Sequence, residues 1–112
     1  MRKEFDKLPV GTNNAYSVNK QGRRFLTDEA KLWKNEIGYA FKKCKPSEKE
    51  FGVEIYLTFG DKRKRDADSG LKFILDSLTG VMWIDDSQVR EIFIYREFGK
   101  KHKTIIEVYE IE

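Results

Sequence analysis

The stretch Phe51-Gly52-Val53-Glu54-Ile55-Tyr56-Leu57-Thr58-Phe59 decides the fold class. Apolar residues stand at every second position, from Phe51 to Phe59, and residues of mixed character lie between them. A period of two predicts a β-strand with one face turned to the core, and Gly60 ends the strand. The chain therefore contains a sheet, and the segments on either side of this strand decide what covers it.

A helix is predicted on each side of this strand. Upstream, Thr27 is suited to cap a helix, and an apolar stripe follows it at Ala30, Trp33, Ile37, Ala40, Phe41 and Cys44. Downstream, Asp68 or Ser69 is the expected cap, Gly80 the expected stop, and the stripe is Leu71, Ile74, Leu75 and Leu78. We expect Trp33 to anchor the core.

Further strands are predicted towards both ends of the chain. The segment from Leu8 to Tyr16 reads as a weak strand that runs into a loop lasting to about Phe25. Residues 89–98 and 104–111 read as two strands, joined as a hairpin by Gly99–Lys103. The prediction is one α+β domain over residues 1–112, in the order β-α-β-α-β-β, with a mixed sheet and helices packed on it.

The amino-acid composition argues against several classes of protein and several kinds of metal site. The 112 residues are 39% hydrophobic and 13% aromatic, which argues against disorder. No apolar run is long enough to span a membrane, and Met1–Asp6 lacks the apolar stretch of a signal peptide. One cysteine, Cys44, and one histidine, His102, exclude a disulfide framework and a thiolate or multi-histidine metal site. We expect a cytoplasmic protein whose metal ligands, if any, are carboxylates.

The basic residues are clustered, although the formal net charge is only +3. The clusters are Lys62-Arg63-Lys64-Arg65, then Lys100-Lys101-His102-Lys103, and Lys20 with Arg23 and Arg24. Any one cluster is as well explained by a solvated face. Three in so short a chain favour a polyanionic partner, and nucleic acid in particular.

The first acidic site is Asp66-Ala67-Asp68, directly after the basic run. Residues two apart in an extended segment point to the same side, so the two carboxylates can converge. If a helix begins at Asp68, Lys72 and Asp76 follow on the same rim. Carboxylates favour Mg²⁺ or Mn²⁺, a bound metal activates water for phosphodiester hydrolysis, and Lys72 can reach the transition-state oxygens. The alternative is that the basic run alone neutralises both carboxylates.

The second acidic site is Asp85-Asp86-Ser87. One interpretation is that these residues cap a turn before the strand at Val89. The other is that one of the two aspartates completes a three-carboxylate metal site with Asp66 and Asp68. The residues leave both interpretations open.

Three stretches together resemble the RusA family of Holliday junction resolvases. They are Leu8-Pro9 through Asn13-Asn14-Ala15-Tyr16, Arg65-Asp66-Ala67-Asp68-Ser69-Gly70-Leu71-Lys72 with Asp76, and Trp83-Ile84-Asp85-Asp86-Ser87-Gln88-Val89. The resemblance covers almost the whole chain. It departs from the family pattern at Ser69, where Asn is usual, and at Val10-Gly11, where more prolines are usual.

The resemblance implies a small, nucleoid-associated homodimer that binds four-way DNA junctions and resolves them by paired, symmetric nicks. It implies that Asp66, Asp68 and Asp86 bind Mg²⁺, with Mn²⁺ as a substitute, and that Lys72 is essential to catalysis. The expected DNA contacts are Lys62, Arg63, Lys64, Arg65, Arg23, Arg24, Asn13 and Asn14. Ser69, Asp76 and Asp85 are expected to support the site, with Asp85 as the alternative ligand to Asp86.

Two other functions are compatible with the same residues. One is a protein of this fold that binds junctions without cutting them, for which Ser69 in place of the family Asn is the only support. The other is a nuclease that acts on another branched DNA or on single-stranded DNA. Both predict a steep fall in DNA affinity with salt, as the resolvase does.

Overall fold

The structure, a computed structural model, describes residues 1–10, 16–43 and 45–112. The chain forms β1 (Arg2–Phe5), β2 (Tyr16–Val18), β3 (Arg24–Leu26), α1 (Asp28–Phe41), β4 (Glu50–Phe59), α2 (Leu71–Leu78), a 3₁₀ helix (Asp86–Gln88), β5 (Val89–Phe98) and β6 (Lys103–Ile111). The main sheet has the order β1-β6-β4-β5, while β2 and β3 form a separate ribbon. None of the described helices is long and apolar enough to cross a membrane.

Strand β4 is the centre of the sheet, as its alternating pattern predicts. Phe51, Val53, Ile55, Leu57 and Phe59 are all buried. The strand pairs in parallel with β5 on one side and antiparallel with β6 on the other, so the sheet is mixed. The predicted α+β class and element order are confirmed.

Helix α1 begins where the sequence predicts. Thr27 is its N-cap, and the Thr27 Oγ1 accepts a hydrogen bond from the backbone N–H of Ala30 at 3.2 Å. Trp33 is buried, as expected of a core anchor, and its indole Nε1 donates to the backbone carbonyl of Leu8 at 2.9 Å. This bond ties the segment after β1 to α1.

The expected cap of α2 is wrong. Its N-cap residue is Gly70, which has no side chain to bond, and neither Asp68 nor Ser69 caps the helix. The backbone instead turns before the helix, because the carbonyls of Asp66 and Asp68 accept from the N–H groups of Ser69 and Leu71, each at 3.1 Å. The aspartate side chains are thereby left out of the helix terminus. The predicted stop is confirmed, since Gly80 follows α2 with a φ of 86°.

The expected hairpin between β5 and β6 is also wrong. The two strands lie on opposite sides of β4, and the link between them crosses the end of that strand. Gly99 N donates to the Phe59 carbonyl, and Gly60 N donates to His102 Nδ1, each at 2.9 Å. A link that crosses β4 must span about 10 Å, and four extended residues can span that distance. The length of the link is therefore compatible with a hairpin and with a crossing over β4.

The N-terminal strand lies earlier than predicted. It is Arg2–Phe5, paired with β6 and anchored by buried Phe5, whereas Leu8–Val10 form no strand. The expected loop up to Phe25 contains the β2–β3 ribbon instead. Its turn is held by Asn19, whose Oδ1 accepts from the backbone N–H groups of Gln21 and Arg23.

Candidate metal centre and nucleic-acid surface

Asp66 and Asp68 lie in the segment that leads from the end of β4 to the start of α2. Both are exposed. Within the described residues, neither side chain accepts a hydrogen bond or joins an ion pair. Two unpartnered carboxylates in one turn leave hard oxygen donors free for a ligand.

A bidentate ion pair between Arg65 and Asp61 orders the basic run upstream of Asp66. The Arg65 guanidinium donates to both carboxylate oxygens of Asp61, at 2.7 and 2.9 Å, and lies over the ring of Phe59. Hydrogen bonds from Arg65, and then from the backbone N–H of Arg63, hold the pKa of Asp61 well below its usual range. A bidentate pair of this kind fixes the guanidinium, so Arg65 orders the loop. Lys62, Arg63 and Lys64 remain exposed.

The crossing link brings a second basic cluster beside the first. His102 accepts from Gly60 N, and its Nε2 lies 3.6 Å from Asp61 Oδ2. Lys100 and Lys101 are exposed on the same link. Two clusters that are far apart in sequence thus form one basic surface at the end of β4, next to Asp66. The sequence shows the second cluster but gives no signal that it lies beside the first.

Arg96 is a further residue at this surface that the sequence did not single out. Its Nη1 donates to the backbone carbonyl of Arg65 at 3.1 Å, and it lines a hollow with Lys64 and Asp66. The bond ties β5 to the segment that carries the two aspartates. Nothing in the alternating pattern of β5 marks Arg96 for this contact.

The N-terminal motif packs directly on the acidic segment. Gly70 lies so close to the ring of Pro9 that a Cβ at this position would collide with it. A cleft of about 760 Å³ runs between the two segments, and its lining includes Lys7, Arg63, Arg65, Ser69 and His102. Two of the three stretches that carried the family resemblance are therefore in contact.

Lys72 and Asp76 lie one turn apart on α2, as predicted. Lys72 Nζ is 3.5 Å from Asp76 Oδ2, and the Lys72 side chain is 62% exposed. An exposed pair of this kind contributes little to stability. Lys72 can therefore leave Asp76 for a phosphate without a large cost.

The two aspartates of the second acidic site have different roles. Asp85 caps the 3₁₀ helix: its Oδ2 accepts from Ser87 N at 2.9 Å, and hydrogen bonds from Ser87 lower its pKa. Asp86 instead turns towards the end of α2, where its Oδ1 bonds with the Thr79 hydroxyl and lies 3.4 Å from Trp83 Nε1. The capping interpretation therefore applies to Asp85, whereas Asp86 contacts the residues at the end of α2.

Within one chain, Asp86 is separated from the other two aspartates by the length of α2. Asp66 and Asp68 precede the helix, and Asp86 contacts Thr79, which follows it. Eight helical residues span about 12 Å, whereas oxygens that share one Mg²⁺ lie within about 4 Å of each other. Among residues 1–10, 16–43 and 45–112, no three acidic, histidine or cysteine side chains are grouped closely enough to hold a metal ion.

Four further residues are predicted to contact DNA. Arg23 and Arg24 are exposed at the β2–β3 ribbon. Asn13, Asn14 and Cys44 lie outside the described residues. Ser69 is exposed beside Asp68 and lines the large cleft.

The sequence matches the family described as Endodeoxyribonuclease RusA over residues 6–109. The chain belongs to the RusA family. The family implies an endodeoxyribonuclease that resolves Holliday junctions, and RusA nucleases generally depend on a divalent metal. No curated protein matches the chain.

Membership of the RusA family agrees with the resemblance drawn from the three motifs. The matched range includes both acidic sites and the Lys62–Arg65 and Lys100–Lys103 clusters. Both clusters lie at the end of β4 beside Asp66, so the acidic pair and the basic surface of this RusA protein occupy one region.

Proposed function

We propose that the protein is a Mg²⁺-dependent, structure-selective endodeoxyribonuclease that resolves four-way DNA junctions by paired, symmetric nicks. The observation that carries this proposal is the pair Asp66 and Asp68, exposed and unpartnered among the described residues, beside the merged basic surface. Unpaired carboxylates among cations would draw a dication, and the cations would draw phosphate.

The residues fit a hard divalent metal. Asp66 and Asp68 offer only oxygen donors, which Mg²⁺ prefers, with Mn²⁺ as a substitute. When bound, the metal would supply an activated water and neutralise charge on the phosphodiester. Lys72 lies on the first turn of α2, where its ammonium would stabilise charge on the transition-state oxygens. Ser69 and Asp76 support these groups through their positions beside Asp68 and Lys72.

Asp86 belongs to the proposed site through a second copy of the chain. Since α2 separates it from Asp66 and Asp68 in one chain, a two-fold dimer can bring the Asp86 of each copy to the aspartate pair of the other. Two equivalent sites would result, which suits two nicks in strands of matching polarity. The homodimer is thus part of the proposal, and the site is incomplete without it.

Metal dependence is tested by cleavage of a synthetic four-way junction with Mg²⁺ removed by a chelator and then restored. We expect no nicking without the metal, full recovery on its return, and junction binding in both states. Flap, duplex and single-stranded DNA serve as competitors. Binding without nicking under every metal condition would identify a non-cleaving junction protein, and preference for another competitor would identify a different nuclease.

Lys64 and Arg65 are expected to differ in their contribution to DNA binding. Lys64 is exposed, whereas the Arg65 fork is taken by Asp61 and its side chain is only 20% exposed. Lys64→Gln should make the slope of log affinity against log salt shallower by about 0.9 for each copy in the bound dimer, the value for one phosphate contact. Arg65→Gln should leave that slope nearly unchanged and lower the melting temperature instead. Equal slopes for the two variants would contradict this division.

A further inference from the structure

A second cationic groove lies at the other end of α2 from Asp66 and Asp68. It has a volume of about 520 Å³ and runs between the C-terminal half of α1 and the residues that follow α2. Its basic lining is Lys34, Lys42, Lys43 and Lys45.

The charge of this groove is uncompensated. No acidic residue lines it, and within the described part of the chain none of its four lysines forms an ion pair. Among the described residues, the ammonium contact of these lysines is that of Lys42 Nζ, 5.7 Å from the centre of the Tyr39 ring. Like charges around one groove repel each other. Binding of an extended anion would relieve this repulsion and is therefore favoured there.

The spacing of the lysines suits a sugar-phosphate backbone. Lys34 and Gly38 lie on α1 and Lys42 is its C-cap, at a spacing of four residues, so the two lysines are about 12 Å apart along the helix axis. Lysines about 12 Å apart can contact different phosphates of one DNA strand. Tyr39, 79% exposed at the same place, offers a ring on which a base can stack.

The groove leads to Asp86. Thr79 lines it, and the Thr79 hydroxyl bonds with Asp86 Oδ1. We infer that the groove is a second DNA-binding surface, which holds the backbone of a strand on its way to the Asp86 end of the site. The inference rests on the proposed function and adds to it a contact surface separate from the Lys62–Arg65 patch.

The test compares two triple variants that remove equal charge. The first is Lys42→Gln, Lys43→Gln and Lys45→Gln, and the matched control is Lys3→Gln, Lys31→Gln and Lys49→Gln. All six lysines lie outside the basic surface at the end of β4. For a Mg²⁺-free four-way junction, the groove variant should have a salt slope shallower than wild type by about 2 to 3 for each copy in the bound dimer. The control should keep a slope close to that of wild type.

The outcomes separate this inference from the proposed function. Wild-type protein that binds no junction would overturn both. Wild-type protein that binds, with groove and control variants indistinguishable, would overturn only the groove. Near-ultraviolet circular dichroism of both variants checks that packing is unchanged.

Lysine labelling gives a second, independent readout on the wild-type chain. Bound junction should protect Lys34, Lys42, Lys43 and Lys45 from an amine-reactive reagent severalfold more than Lys31. Poly-glutamate is the comparison ligand. Protection by poly-glutamate and not by DNA would assign the groove to an acidic protein and overturn the inference.

Discussion

Asp68→Asn is expected to lower the rate of junction nicking by about 10³-fold, because losing one of the proposed metal ligands would remove several kcal/mol of transition-state stabilisation. Junction affinity should remain within about threefold of wild type, because the phosphate-binding cations are untouched. Nicking is followed on a labelled junction at saturating protein, and affinity is measured without metal. Asp66→Asn should behave in the same way.

The control for this variant is Glu112→Gln, which removes one exposed carboxylate at the end of the chain. It should nick at the wild-type rate. Normal nicking by Asp68→Asn would remove Asp68 from the catalytic site. A parallel loss of affinity and rate would show instead that the turn before α2 had been disrupted.

Mixing Asp68→Asn with Asp86→Asn should restore nicking, although each variant alone is inactive. If the site takes Asp66 and Asp68 from one copy and Asp86 from the other, each mixed dimer contains one intact site and one site with both changes. After complete subunit exchange half of the dimers are mixed, so nicking should return to about a quarter of the wild-type rate. Because each mixed dimer has one working site, the products should be single nicks.

The reciprocal mixture is the matched control. Wild-type chains mixed with the double variant Asp68→Asn, Asp86→Asn form mixed dimers in which both shared sites are damaged. Excess double variant should therefore suppress the wild-type activity. If all three carboxylates acted within one chain, the first mixture would stay inactive and the second would keep activity in proportion to its wild-type chains.

Several local features follow from the sequence because they depend on residues close together in the chain. The period-two pattern of Phe51–Phe59 yields the buried central strand, and Thr27 with the stripe after it yields α1. The Asp66–Asp68 pair and the basic run beside it are also evident from the amino-acid sequence. These signals are short-range, since a strand pattern or a helix cap is complete within a few residues.

The tertiary structure alone decided how these elements are arranged. Strands β5 and β6 could equally have formed a hairpin by length, but β4 separates them, and their link carries Lys100–Lys103 to the Lys62–Arg65 run. The ion pair with Asp61 fixes the Arg65 guanidinium. Asp85 caps the 3₁₀ helix, and this role distinguishes Asp85 from Asp86. Such outcomes depend on partners far apart in the chain and on which donors reach which oxygens. For the same reason, no sequence motif indicates that Asp86 lies about one helix length from Asp66 and Asp68. Helix α2 determines that separation.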